Sequence, residues 1–463
     1  MLQLSKNKKQ FGFLIGIILA LIIWNINLEG ISLEGKKALA LSLMTVVFWA
    51  TKVANAGFIS LLYLISLVLF DVAPSSDVFS LWTSSTIYLV IGAYLISDAV
   101  NRSGLGERIA YMFILKFVNS FNSIIISTFT LQVILGLLIP HPWPRAFLVL
   151  SVMQVVIKSA NIKKEDAKII GFSAFAASVP TAMLYLTADS TINIIAVDFS
   201  GENLGWLGWL YQMGIPALFA SALTCILILI LFKPSSEISI DKDSIKENLS
   251  NLGSISKLEK KTIFWVVIAI ILWMTDSIHG IDLGWITILI AIFMSLPVIG
   301  DILTPDTWKT VPLDTLFFLT AALGIGKIGN ITGMNTWIAS VILPSQVPEN
   351  IYVFALLIVG VSIAIHMVLG SVMAVMGIAI PAFLSYSASS GINPLVPVLI
   401  VYTSIAFHYI LPYQHMTMLV GMGEEFGMYD DSYVIKMGIP LTLVVFITVL
   451  LIQIPWWHIT GLL

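Results

Sequence analysis

The sequence predicts an all-α polytopic membrane protein built from two inverted-topology repeats, with re-entrant hairpins and unwound transmembrane helices. Three observations support this fold class. Hydrophobic residues make up 58% of the 463 residues and charged residues only 11%, against roughly 25% charged residues in soluble domains. The two halves share matching segments in the same order. Equivalent loops of the two halves differ in lysine content, which indicates that they lie on opposite membrane faces.

The first predicted element is an N-terminal helix within residues 1–35. Its apolar run, FGFLIGIILALIIWNINL from Phe11, spans about 27 Å at 1.5 Å per residue. No small-residue cleavage site follows, so we expect a retained helix rather than a signal peptide. Lys6, Lys8 and Lys9 precede the run, and the positive-inside rule therefore places the N-terminus in the cytoplasm of a multi-pass cell-membrane protein.

Two transmembrane repeats, residues 36–232 and 262–463, flank a predicted cytoplasmic linker, residues 233–261. The linker contains six lysines and five acidic residues, so it is too polar to span a membrane. The segment QMGIPALFASALTCILILILF begins at Gln212 and matches KMGIPLTLVVFITVLLIQIPW from Lys436, an offset of 224 residues. The segment TIYLVIGAYLIS from Thr86 matches TLFFLTAALGIG from Thr315, an offset of 229 residues. Chance similarity between apolar helices is the alternative explanation.

The charges around these segments predict opposite orientations. The loop KSANIKKEDAK carries four lysines, whereas its counterpart SYSASSGINP carries no charge. The inside face of a membrane protein is enriched in lysine and arginine. Inverted repeats of this kind are common in secondary transporters, which bind substrate near the midplane at interrupted helices.

Four polar interruptions of apolar segments are candidates for such a site. The first is LGLLIPHPWPRAFLVLSV, Leu135 to Val152, which we expect to form a re-entrant hairpin whose tip is Pro140 to Arg145. The other three are YLTADSTINIIAVDF, HMVLGSVMAVMGIAIP and HYILPYQHMTMLVGMG. Irregular backbone within a membrane is tolerated only where protein or water surrounds it. The alternative for the first interruption is an interfacial loop with Arg145 snorkelling to lipid headgroups.

At these interruptions the sequence resembles the divalent-anion:sodium symporter family, which includes sodium/dicarboxylate and sulfate carriers. Members of that family carry Ser-Asn-Thr motifs at two hairpin tips, and some that resemble plastid dicarboxylate translocators read PSNTARA at the first. Here PHPWPRA keeps Pro140, Arg145 and Ala146, whereas His141, Pro142 and Trp143 replace Ser-Asn-Thr. The first motif is therefore degenerate.

The other three motifs are retained in part. The second tip, GSVMA, keeps Ser371, and Pro381 follows at the expected spacing of ten residues. The unwound segment DSTIN keeps Ser190 and Asn193, and LPYQHMTM keeps Pro412 and Gln414 of relatives that read LPFQTPPN. In the family the tips and unwound segments together hold sodium and one substrate carboxylate. The loss of Asn and Thr at both tips puts sodium coupling in doubt.

The resemblance implies a secondary active transporter of small organic anions, with di- or tricarboxylates as substrates, operating by exchange or cation-coupled symport. Arg145 is a permanent cation whose fork geometry suits a carboxylate, and it could supply the charge that sodium provides elsewhere. His141, His366, His408 and His415 are candidate titrating groups; the alternative for each is a structural role. The predicted substrate-binding residues are His141, Trp143, Arg145, Asp189, Ser190, Thr191, Asn193, Ser371, Gln414, His415 and Thr417.

Several alternatives stay open at the level of sequence. Sulfate or another inorganic anion is the rival substrate, and a non-transporting membrane sensor or scaffold is the rival class of protein. No HExxH, Walker loop or other supported catalytic motif is present, so we predict no enzymatic activity. We expect no cofactor beyond Na⁺ as a possible coupling ion, and assign no metal ligands. The expected partners are the anion, the lipid bilayer and a second copy in a homodimer; a net charge of −3 gives no reason to expect nucleic acid.

Overall fold

The structure, a computed structural model, describes residues 2–235, 242–423 and 426–463. These residues form helices joined by turns, with no strand among them, and this confirms the predicted all-α class. The helices of the first half are α1 (Leu2–Asn25), α2 (Leu33–Thr51), α3 (Ala56–Leu69), α4 (Ser75–Val78), α5 (Ser85–Ser103), α6 (Leu105–Phe117), α7 (Phe121–Gly136), α8 (Pro142–Ser159), α9 (Lys164–Thr181), α10 (Ile192–Ser200) and α11 (Trp206–Leu231).

The second half has a similar order of long helices and breaks, with additional short helices. Its helices are α12 (Lys242–Asn251), α13 (Lys257–Met274), α14 (Asp276–His279), α15 (Leu283–Ser295), α16 (Leu313–Ile331), α17 (Met334–Ile342), α18 (Ile351–Leu369), α19 (Val372–Ser387), α20 (Leu395–Ala406), α21 (Met416–Val420), α22 (Asp431–Ile447) and α23 (Ile454–Thr460). Short 3₁₀ turns lie at Ser80–Thr83, Leu186–Asp189, Pro305–Thr310 and Pro412–Gln414, and a π-helical turn at Thr448–Gln453 joins α22 to α23.

Three helical stretches in the described part of the chain are long and apolar enough to cross a membrane: Trp206–Leu231, Ile351–Leu369 and Asp431–Thr460. Leu313–Ile331 and Met334–Ile342 would together make a fourth, but they are bent by 87° at the break between them. Most of the other apolar helices are shorter, because the chain interrupts them with turns and breaks. These interruptions lie in the same order in both halves.

The inverted relation of the repeats is visible in the two helices that begin with the MGIP sequence. At one end of α11, the ring of Phe232 stacks on Tyr433 at 5.2 Å and lies under the Lys436 ammonium group at 4.7 Å. At the other end, Thr460 donates a 2.8 Å hydrogen bond to Gln212. The start of α22 therefore lies at the end of α11, so the two equivalent helices run in opposite directions.

A second pair of equivalent contacts crosses between the repeats. Helix α3 of the first repeat packs on α16 of the second, and α15 of the second packs on α5 of the first. At each crossing a glycine near a helix start brings the backbones together: a Cβ on Gly57 would lie 2.7 Å from Asp314, and one on Gly284 would lie 1.9 Å from the carbonyl of Ser85. The segments NAGF from Asn55 and DLGW from Asp282 thus form a third matched pair, which the sequence motifs did not predict.

Both predicted re-entrant segments are hairpins. Helices α7 and α8 pack on each other, and α12 contacts both α8 and the α6 helix that precedes α7. In the second hairpin, the Tyr386 hydroxyl near the end of α19 donates to the carbonyl of Gln346, just before α18. The chain therefore returns to the side from which it entered, although α18 is long enough to cross a membrane.

The predicted linker is only partly irregular. Its residues 236–241 lie outside the described residues, and the rest includes helix α12. The Arg108 guanidinium on α6 holds the linker end of α13 through Glu259, with Nε–Oε1 at 2.5 Å, and also donates to the carbonyls of Gly253 and Leu252. The division into residues 1–35, 36–232, 233–261 and 262–463 remains a prediction.

Candidate functional site

The tip of the first hairpin is shaped by prolines, as its sequence predicts. Helix α7 ends at Gly136 and α8 begins at Pro142, so Pro142 and Pro144 fall in the first turn of α8, where no intrahelical donor is lost. His141 caps this helix: its Nδ1 accepts a hydrogen bond from the Trp143 amide at 3.3 Å. The turn leaves the carbonyls before α8 free to bond elsewhere.

Arg145 lies one turn into α8, and its side chain is completely buried, with 0% exposure. Its Nη1 donates to the carbonyl of Ile139 at the tip, at 2.9 Å, and to the carbonyl of Ala188 at 2.6 Å. Its Nε donates to the Oε1 of Gln132 on α7 at 3.4 Å. The guanidinium therefore fastens the hairpin tip to the next broken helix. Arg145 does not reach the protein surface, which excludes the alternative of a headgroup anchor.

The break between α9 and α10 contains Asp189, Ser190 and Thr191. The Asp189 carboxylate caps α10 by accepting from the amides of Thr191 and Ile192, at 3.1 and 3.2 Å. The Ser190 amide donates to the carbonyl of Pro140 at 3.3 Å. The backbone of the break is therefore bonded directly to the backbone of the hairpin tip.

Asn193 joins the same break to the second repeat. Its amide nitrogen donates to the carbonyls of Ala182 and Tyr185, both at 2.9 Å. Its Oδ1 accepts from the Tyr402 hydroxyl on α20 at 2.5 Å. The predicted polar residue of the unwound segment thus satisfies the backbone left free where α9 ends.

The second hairpin tip is simpler than the first. Gly370 ends α18 with a left-handed φ of 60°, and Ser371 caps α19 through a 3.4 Å bond from the Ala374 amide. In the part of the chain that the structure describes, the Ser371 side chain bonds only within its own helix. Its predicted role in binding stays a prediction.

The second break, between α20 and α21, is held by Gln414. Its Oε1 accepts from the amides of Ile410 and Leu411, both at 2.7 Å. Its own carbonyl accepts from the Nε2 of His366 on α18 at 3.0 Å. The His415 Nε2 donates to the carbonyl of Ala406 at 3.0 Å. As in the first repeat, a side chain on a hairpin arm holds a carbonyl of the adjacent break.

One side-chain contact connects the first tip to the second break. The indole Nε1 of Trp143 donates to the hydroxyl of Thr417 at 3.1 Å. This bond joins the first tip to Thr417, and the Tyr402–Asn193 bond joins the first break to α20. Among the described residues, the Gln414 and His415 side chains bond within the second break and to α18 and α20, and the Ser371 side chain bonds within α19. The sequence did not predict a role for Gln132 or Tyr402, because a buried glutamine or tyrosine in an apolar helix has no periodic pattern. It also did not predict that His366 and His408 would lie next to each other.

The buried side-chain atoms of the predicted site residues that make no hydrogen bond to the described residues are Nη2 of Arg145, Oγ of Ser190, Oγ1 of Thr191 and Nδ1 of His415. Buried polar groups are normally bonded, and a guanidinium nitrogen is the most costly to leave without a partner. These atoms can bond a ligand, and the guanidinium favours an anionic one. Helices α8, α10 and α19 also begin at the tips and the break, where helix dipoles are positive.

Comparison with known proteins places these features in a family. A family model described as the sodium:sulfate symporter transmembrane region matches residues 7–463. The putative malate transporter YflS of Bacillus subtilis is 26% identical over 341 residues, covering 71% of this chain and 71% of that protein. The chloroplastic dicarboxylate transporter 1 of Spinacia oleracea is also 26% identical over 341 residues, covering 70% of this chain and 59% of that protein.

A sodium-dependent relative and a solved structure are also similar. The sodium-dependent dicarboxylate transporter SdcS of Staphylococcus saprophyticus is 24% identical over 308 residues, covering 59% of this chain and 57% of that protein. The crystal structure of the YdaH transporter of Alcanivorax borkumensis matches with a TM-score of 0.51 at 16% identity, covering 87% of this chain and 89% of that one. The structural match supports the fold alone.

Proposed function

The chain belongs to the family described as the sodium:sulfate symporter transmembrane region, and on that basis we propose that it carries small organic anions, di- or tricarboxylates, across the cell membrane. Family membership and the relatives make it a multi-pass membrane transporter rather than an enzyme. The substrate, the coupling ion and the orientation are the parts that we propose.

The proposal of an anionic substrate depends most on the complete burial of Arg145. A permanent cation with 0% exposure is costly inside a membrane protein unless a negative partner reaches it. Asp189 follows Ala188, whose carbonyl Arg145 bonds. The Asp189 carboxylate accepts hydrogen bonds from the amides of Thr191 and Ile192 at the start of α10. The remaining donor, Nη2, is thus available for an oxygen of the transported anion.

A carboxylate suits this donor better than a spherical anion does. The planar guanidinium binds two oxygens of one carboxylate in a fixed geometry, and the buried Ser190 hydroxyl is close along the chain. The relatives named as malate or dicarboxylate transporters favour the same substrate class. Inorganic sulfate is the rival, because the family description includes it.

The coupling that we propose is independent of sodium. Sodium is a hard cation that needs several oxygen ligands, among which backbone carbonyls are typical. Nη1 of Arg145 already bonds the carbonyls of Ile139 and Ala188, and Nε2 of His366 bonds that of Gln414. The relative SdcS is named as sodium-dependent; in this chain we propose that the guanidinium of Arg145 supplies the positive charge instead. We therefore propose that transport occurs by exchange or by proton coupling. We also propose that the protein is a homodimer with a cytoplasmic N-terminus.

Competition between succinate and sulfate tests the substrate. The purified protein is reconstituted in liposomes, and uptake of labelled succinate is measured against increasing unlabelled succinate or sulfate. We expect unlabelled succinate to compete and sulfate to compete weakly. Stronger competition by sulfate would support the inorganic alternative, and the absence of any flux of either anion would favour the non-transporting class.

A further inference from the structure

Two buried histidines meet beside the second break. His366 lies near the end of α18, and His408 lies two residues beyond α20; both have 0% exposure. Their Nδ1 atoms are 3.4 Å apart. The Nε2 of His366 bonds the carbonyl of Gln414 at 3.0 Å, and the Nε2 of His408 lies 3.0 Å from the hydroxyl of Thr442 on α22. The imidazoles thus form a chain across three elements.

The chain continues to a fourth contact, since the Thr442 hydroxyl bonds the carbonyl of Gly438 at 3.1 Å. Each of the four contacts needs one hydrogen. Two neutral imidazoles supply two hydrogens and the threonine hydroxyl supplies one, so the neutral network lacks one. A single additional proton fills all four contacts.

The carbonyl at each end fixes where that proton lies. The Gln414 carbonyl only accepts, so Nε2 of His366 must carry a hydrogen, and the Nδ1 of a neutral His366 then accepts from His408. When the Thr442 hydroxyl donates to the Gly438 carbonyl, His408 must donate to Thr442 from Nε2. His408 therefore donates from both nitrogens and is the imidazolium of the pair.

We propose that His366 and His408 form a binding site for one proton, which crosses the membrane with the transported anion. This inference rests on the proposed function. It names a proton as the coupling ion in place of sodium, because the carbonyls at the tip and the breaks already accept hydrogen bonds from Arg145 and His366. Binding adds one N–H bond to the pair and breaks none. The proton enters from water on one side and returns to water on the other.

The elements that form the pair and its hairpin offer it few charged partners. Among the described residues, α18, α19, α20, the second break and α22 carry few other ionisable side chains. These are Tyr352 on α18, Tyr386 on α19, Tyr402 on α20, Tyr409, Tyr413 and His415 in the second break, and Asp431, Tyr433 and Lys436 in the first two turns of α22. The one carboxylate, Asp431, is the first residue of α22. A negative substrate can therefore compensate the bound proton, which links the two.

Protonation also has a mechanical consequence. His366 belongs to the second hairpin, His408 to the break and Thr442 to α22, so the protonated chain fastens the hairpin to both. Without the proton, the threonine hydrogen serves either His408 or Gly438. When it serves Gly438, the contact between His408 and α22 is lost, and the added proton restores it. We therefore expect the proton to tighten the second break against α22.

Proton movement in liposomes tests the site. The reconstituted protein contains trapped pyranine, sodium is replaced by choline, and the membrane potential is clamped with potassium and valinomycin. Adding labelled succinate outside should acidify the lumen as succinate enters. Succinate uptake without acidification would overturn the proton site and leave anion transport standing; no succinate uptake would instead overturn the proposed function.

Variants separate a proton on the pair from a proton carried by succinate itself. In His408→Gln and His366→Gln, we expect the ratio of protons to succinate to fall by one, or transport to be lost with the protein still monodisperse. Thr442→Val keeps both imidazoles and should reduce the ratio in part. His458→Gln, at an exposed histidine, is the matched control and should keep the wild-type ratio. Unchanged ratios in the first two variants would overturn the assignment.

Discussion

The Nη1 atom of Arg145 lies 2.6 Å from the carbonyl oxygen of Ala188. The arginine belongs to the returning arm of a hairpin, and the carbonyl belongs to the break in the following helix. One buried cation therefore holds together two pieces of irregular backbone that have few other partners in a membrane. In the second repeat, His366 on the entering arm bonds the carbonyl of Gln414 without a permanent charge, so the two halves of the site differ electrostatically.

Replacing Arg145 should abolish transport. Arg145→Gln removes the charge and leaves buried carbonyls without a donor, which costs about 1–3 kcal/mol for each, so we expect uptake near background from protein that still inserts. Arg145→Lys keeps the charge and loses the bidentate geometry, and should weaken apparent affinity about tenfold. Arg102→Gln, at a more exposed ion pair with Asp98, is the control. Wild-type uptake by Arg145→Gln would exclude Arg145 from the site.

Breaking the bond between the first tip and the second break should weaken binding without stopping transport. Trp143→Phe keeps the ring and removes the donor to Thr417. A neutral hydrogen bond contributes about 0.5–1.5 kcal/mol, so KM for succinate should rise about two- to tenfold with kcat retained. Trp308→Phe, at a tryptophan that is 62% exposed, should change neither constant. Equal KM values for the two variants would show that the bond has no part in binding.

The broken backbone of the candidate site could be predicted from the sequence because the residues that break it have fixed conformational behaviour. Three prolines around His141 predict a turn wherever they occur, and the polar run from Asp189 to Asn193 cannot lie in an apolar helix without partners. The structure places these residues next to one another. The sequence also predicted the inversion, because lysine content depends on the membrane face rather than on packing.

The partners within the site could not be predicted in the same way. Whether Arg145 bonds a carbonyl or a ligand depends on how two segments more than forty residues apart pack, and no local pattern records that. The same holds for His366 and His408, which are separated by a hairpin arm and a helix. Asp98 and Lys327, which occupy equivalent positions in the repeats, pair with Arg102 and Asp77 rather than with each other.

Labelling of introduced cysteines tests the topology. In a Cys225→Ala background, cysteines replace the exposed residues Lys163 and Ser389 at equivalent loops of the two repeats. We expect a membrane-impermeant maleimide added to whole cells to label position 389, and position 163 to react only after permeabilisation. Labelling of both positions from the same side would contradict the inverted repeats.

The docking of the linker should depend on pH through Glu259. The Arg108 guanidinium, which bonds this carboxylate, holds the pKa of Glu259 below its usual value. A carboxylate whose pKa is lower in the folded state stabilises the fold at pH values above its pKa in the unfolded state, about 4.3. This contribution is lost as the pH falls through the pKa of the folded state. We therefore expect the Tm of the detergent-solubilised protein to fall more steeply below about pH 4.3 than that of Glu259→Gln.

The same variant should be less stable at neutral pH. Removing one partner of a buried ion pair costs about 3 kcal/mol, so the Tm of Glu259→Gln should lie below that of the parent at pH 7. Glu247→Gln, at an exposed residue of α12, should match the parent at each pH. If the three proteins had the same pH profile, Arg108 and Glu259 would not hold the linker.

Uptake of labelled succinate into liposomes without sodium tests the central claim most directly, namely that a buried arginine supplies the positive charge of sodium at the substrate site. The parent protein and Arg145→Gln are reconstituted side by side, with choline or sodium as the external cation. The account predicts that the parent takes up succinate at the same rate in both cations and that Arg145→Gln takes it up in neither. A steep, saturable dependence of the parent's uptake on sodium would contradict it.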